Sequence, residues 1–129
     1  MQPRTRARKH ALDILHAADA LSRPALDVLA EDEVPNDFTR ELVEGVEAHR
    51  LELDELIRSY ADRWALERMP IVDRNLLRIG IFELLHRPDV PAAAAINEAV
   101  ELAKLLSTED SGRFVNGLLG RLAREHGRG

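Results

Sequence analysis

Four cations, Arg4, Arg6, Arg8 and Lys9, precede the first acidic residue, Asp13, in a chain whose formal net charge is −5. On a helical wheel Arg6, Lys9 and His16 fall within about 80° of one another. They lie opposite a stripe of Ala7, Ala11, Ile14, Leu15, Ala18 and Leu21. A basic edge with one planar ring suits phosphate oxygens, and the ring can stack on a base. The bland reading of the same residues is a solvated helix start in which Asp13 pairs with Lys9 four positions earlier. A second strip lies near the other end, where Arg113, Arg121 and Arg124 share a helical face with Gly117 between them. A glycine there lets another helix pack closely or lets a nucleic-acid backbone approach. The two strips are expected to meet in space and form one surface. Four cations on a single strand of RNA give a salt slope of about −3, a loss of roughly fifty-fold in affinity between 50 and 200 mM salt. Such a surface binds weakly alone, so a second protein is implied.

Catalytic chemistry finds little support. The chain has no cysteine, which removes disulfides, thiolate metal sites and thiol nucleophiles. His49 falls in the middle of an apolar stripe and reads as a core histidine. Glu83 and His86 have the spacing of one carboxylate–histidine unit, but a di-iron bundle needs two such units and the second is missing. Neither a Gly-rich phosphate loop nor a nucleophile elbow occurs. The expectation is a protein that is not an enzyme, with no cofactor and no metal.

The elements that must carry these strips are helical. The 129 residues fit one domain, 1–129, and 45% hydrophobic with only 4% aromatic residues matches a composition of good helix formers. No strand alternation is present, whereas helical spacing runs throughout. A first helix ends at "SRP" and a short one follows from Pro24 to Ala30. Asn36 or Asp37 then caps a single long helix carrying Phe38, Leu42, Val46, Leu53, Leu56 and Tyr60. The segment "VDRNLLRIGIFELLHR" is apolar nearly all round, as a helix buried on several sides would be, and Gly80 inside it implies close approach of a neighbour. Two more helices follow, one starting near Pro91 and one capped within "STEDS". The fold class is therefore all-α, about seven helices in two packed small bundles, with an N-terminal sub-bundle at about 4–61 and a C-terminal one at about 62–125. Eleven acids against Arg40 and Arg50 lie between Asp27 and Glu55, so the middle is acidic and both ends are basic. No run approaches the roughly 20 apolar residues of a membrane span, and a cytoplasmic location is expected.

The stretches "INEAVELAK" and "EDSGRFVNGLL", with the opening "RTRARKHALDIL", resemble the NusB family of bacterial transcription antitermination factors. The resemblance runs from about Arg4 to Arg124 and is weakest between Leu21 and Pro35. It implies an all-helical fold and a protein that binds single-stranded boxA RNA together with NusE, a small-subunit ribosomal protein. The pair would act within an RNA polymerase antitermination complex, notably during ribosomal RNA synthesis. Carried over by position, the RNA face would be Arg4, Arg6, Arg8, Lys9 and His16, with Asp110, Arg113 and Phe114 near the last helix. His16 stands where relatives often carry an aromatic ring. The NusE-facing surface would include Glu67, Asp73 and Leu77. Other readings of these residues stay open: Phe114 fits a core stripe with Leu118 and Leu122, Asp110 a helix cap, and Asp73 the positive end of its helix. Asn97 and Asn116 are expected as buried hydrogen-bonding groups between helices. The alternatives to the antitermination role are an RNA-binding module assisting a ribosomal RNA methyltransferase, and a homodimeric helical scaffold.

Overall fold

The computed structural model describes residues 2–33, 36–62 and 64–128, and among these the chain is all-helical without a strand. The helices are α1 (Pro3–Leu21), α2 (Ala25–Ala30), α3 (Asp37–Ala48), α4 (Arg50–Tyr60), α5 (Ile71–His86), α6 (Ala92–Leu106) and α7 (Glu109–Glu125), with a 3-10 turn at Leu66–Arg68. Their ends follow local chemistry. Pro3 opens α1 at a position where a missing N–H costs nothing. The Asn36 side chain accepts from the Phe38 N–H at 2.8 Å, and Thr108 Oγ1 accepts from the Ser111 N–H at 2.9 Å.

Helix α5 is the axis of the fold and packs against α1, α3, α4, α6 and α7. Every residue from Asn75 to Leu84 is buried, which is why this segment reads as apolar nearly all round. The expected close approach at Gly80 is present: a Cβ there would lie 2.7 Å from Leu119 Cδ1 of α7. The buried apolar side chains form one continuous cluster that draws on all seven helices.

Two expectations are corrected. The single long helix is two helices, α3 and α4, which meet at His49 with φ −110° and ψ 17°. The corner keeps Leu42, Val43 and Val46 on one side, and Leu53 and Ile57 on the other, wholly inside the same core. Asn97 and Asn116 are exposed rather than buried. The buried asparagine is Asn75, whose Nδ2 donates to Asp19 Oδ2 at 3.0 Å and to the Ile71 carbonyl at 3.1 Å.

The C-terminal segment closes over the end of α5. Arg128 Nε donates to the Leu84 carbonyl at 2.8 Å, and its Nη2 to the carbonyls of Arg87 (3.2 Å) and Val90 (2.5 Å). These carbonyls lie at or beyond the last turn of α5, where intrahelical partners run out. Arg128→Ala is expected to lower stability by about 1–3 kcal/mol, read as an earlier midpoint in urea unfolding with an unchanged slope.

Candidate nucleic-acid interface

The N-terminal cations have different surroundings. Arg4 is half-exposed, with its guanidinium 4.4 Å above the Phe38 ring and 3.7 Å from Asp89. Arg6 is exposed and borders a small depression with His10, Asn36 and Thr39. Lys9 donates to Asp13 at 2.9 Å, as the bland reading expected, in an exposed pair that a phosphate could replace. His16 is half-buried on the same helix.

Arg8 is a correction. It is only 4% exposed, donates from Nε and Nη2 to the Glu83 carboxylate at 2.7 to 3.1 Å, and donates from Nη1 to Glu98 at 3.1 Å. Thr5 Oγ1 donates to the same Glu98 oxygen at 2.6 Å. A guanidinium so enclosed presents nothing to RNA. It ties α1 to α5 and α6.

At the other strip Arg113 is 73% exposed and paired with Asp110 one turn earlier. A Cβ at Gly117 would meet nothing within 4 Å, so no helix packs there and the surface is open. Phe114 is half-buried, and its ring stands edge-on to Trp64 with centroids 4.8 Å apart. Trp64, 36% exposed, lines an open groove with Ala61, Asp62 and Phe114. The groove continues along α7, where Arg121 sits 4.5 Å above the Tyr60 ring and borders Gly117. Trp64 and Tyr60 were missing from the sequence-derived site. The available signal was the chain's one tryptophan, lying in a non-helical segment where no packing stripe accounts for it.

Two of the three proposed partner-facing residues are also corrected. Leu77 and Asp73 are both 0% exposed and present nothing to another protein. Asp73 Oδ2 accepts from Ser111 Oγ at 2.7 Å, which joins the start of α5 to the start of α7 and so positions Asp110, Arg113 and Phe114. Glu67 is exposed and accepts from Arg58 at 2.9 Å, which holds its carboxyl below the usual range.

The start of the second strip is offset from Arg8 along α5. Arg8 meets α5 at Glu83, whereas Ser111 meets it at Asp73. These contacts lie ten residues, or about 15 Å, apart along the helix. An extended polymer could span them, but a compact anion could not.

The NusB family model matches residues 5–124. The transcription antitermination protein NusB of a Nocardioides species is 50% identical over 129 residues, covering 96% of each chain. Its counterpart in Saccharopolyspora erythraea is 52% identical over 130 residues, covering 95% of this chain and 88% of that protein. Among solved structures, T. maritima NusB superposes with a TM-score of 0.88 at 36% identity, covering 96% of this chain and 92% of that one. A NusB chain crystallised with NusE and double-stranded RNA superposes with a TM-score of 0.81 at 26% identity, covering 96% and 99%. The chain belongs to the NusB family.

Proposed function

We propose that this chain is a non-enzymatic, cytoplasmic antitermination factor that binds boxA-type single-stranded RNA jointly with a NusE-type ribosomal protein, within an RNA polymerase antitermination complex. The observation that carries this reading is the groove at the start of α7, where Trp64 and Phe114 stand beside the exposed Arg113 and the open backbone at Gly117. Aromatic faces take up unstacked bases, whereas a duplex keeps its bases stacked and offers mainly phosphates and sugars. Arg4, Arg6 and Lys9 at the far end of α5 would hold the backbone of the same strand, and His16 lies on the helix that carries them. Asp110, freed from Arg113 by a phosphate, would accept from a base edge. Glu67 is the residue of the partner-facing set that remains at the surface.

The mechanism is assembly. The cations give a salt-sensitive foothold, one or two stacked bases add about 1–3 kcal/mol each, and a second protein completes the selectivity. The test is a gel shift with boxA-like, scrambled and duplex RNA, with and without the NusE-type protein. Single-stranded boxA-like RNA is expected to be retained at least tenfold better than the scrambled strand when the partner is present. Equal retention of both strands would leave only generic binding.

A further inference from the structure

We propose that His49, Glu52 and His86 form a binding site for a divalent transition-metal ion of the zinc class, at the corner where α3 turns into α4 beside the end of α5. One ligand atom from each residue lies within 4.8 Å of the other two. His86 Nε2 is 2.7 Å from Glu52 Oε1, and the His49 and His86 rings are stacked with centroids 3.8 Å apart and planes 16° from parallel. The Phe82 ring packs against both imidazoles, at 6.0 Å from His49 and 5.6 Å from His86, and fixes the inner wall.

The donor set fits this ion class. Two imidazoles and one carboxylate are a recurrent zinc triad that leaves the fourth position to water. Metal–ligand bonds of about 2.0–2.2 Å place tetrahedral ligand atoms about 3.3–3.6 Å apart. Coordination would draw the ligand atoms in from their present spread and turn the stacked rings so that both in-plane lone pairs point at the ion. His49 and Glu52 stand one turn apart at the start of α4, and His86 is the last residue of α5, so the ion would pin two helices together. Glu52 is half-exposed and His86 about a third, which gives the ion a path in from solvent.

The Glu83–His86 spacing had suggested half of a metal unit, but Glu83 is turned inward to Arg8. Glu52 takes its place from another helix. His86 lies thirteen residues, or about 20 Å, along α5 from Asp73, and at the end of α5 nearer Arg4, since Arg87 beside it shares the Phe38 ring with Arg4. None of its three ligands is among the residues of the RNA-binding proposal.

The test is a zinc titration of the tag-free chain by calorimetry, with imidazole nitrogen shifts followed by NMR. Binding of one equivalent is expected, with shifts confined to His49 and His86 and a rise in Tm of about 5–10 °C at saturating metal. His49→Ala, His86→Ala and the isosteric Glu52→Gln should each weaken binding by about tenfold or more. His16→Ala and His126→Ala should leave it unchanged. Glu52→Gln alters an exposed side chain, so it keeps the test sound if a histidine variant folds poorly. Absence of saturable binding, or equal losses from His16→Ala and His86→Ala, would overturn the proposal.

Discussion

Replacing Arg8 by alanine is expected to lower stability by about 3–5 kcal/mol, a drop in Tm of roughly 10–20 °C for a domain of this size. The cost arises less from the lost attraction than from what remains. Glu83 is 1% exposed, and its carboxylate takes three hydrogen bonds from Arg8. Without the guanidinium it is a buried charge with no counter-charge, beside a second acid, Glu98. The double variant Arg8→Met/Glu83→Leu removes both charges and should recover most of the loss, because the pair's mutual attraction mainly offsets its desolvation. Thermal and urea unfolding of the two variants decide this. A small effect of Arg8→Ala, below about 1 kcal/mol, would mean that the pair behaves as a solvated surface bridge. RNA binding by folded Arg8→Ala should match the unmodified chain, in contrast to Arg6→Ala.

Asp19→Ala is expected to cost a similar amount, about 3–5 kcal/mol. Asp19 accepts from Arg50 Nη2 (2.9 Å), Arg74 Nε (3.3 Å), Arg78 Nη1 (3.0 Å) and Asn75 Nδ2 (3.0 Å). Asp54 closes the other side by accepting from Arg78 Nε and Nη2 at 2.7 and 3.2 Å. Removing Asp19 leaves three arginines facing one another with fewer acids between them. Burial alone would raise the Asp19 carboxyl, but the hydrogen bonds from Arg50 and Asn75 and the charges of Arg78 and Arg50 outweigh it and hold the group down to about 2, from an ordinary 3.8. The sign follows from the depression. The stabilisation is fully present above the unfolded value near 4 and is lost as pH falls through about 2. It amounts to about 2 kcal/mol. Urea midpoints measured from pH 5 down to pH 2 should therefore converge for the unmodified chain and Asp19→Asn. A constant gap across that range would contradict the assignment.

The sequence conveyed the fold wherever the cause was local. The α1 stripe as far as Ala18, the Asn36 cap, the all-round apolar α5 and the tight contact at Gly80 depend on spacing and residue type, whereas Leu21, expected on the same stripe, is exposed. The corner at His49 was hidden because the helical apolar spacing continues through it, and the turn there is imposed by packing on α5. Leu77 could have been recognised as core, since it lies inside the segment already read as buried on several sides. Arg8 could have been questioned too, because Leu12 and Leu15 place it on the apolar face, but Glu83 is 75 positions away. Asp73 gave no such warning, since an acid at a helix start reads equally as a surface charge. Trp64 lies outside any periodic element, so no stripe could assign it, and only the fold brings it to Phe114.

The most direct measurement uses the fluorescence of Trp64, the chain's one tryptophan, during titration with a single-stranded boxA-type RNA carrying a dye for anisotropy. Base stacking in the groove is expected to quench the tryptophan in step with the anisotropy rise, and both should weaken in Phe114→Ala and Arg113→Glu. RNA bound by anisotropy with unchanged Trp64 emission would place the strand elsewhere on the molecule.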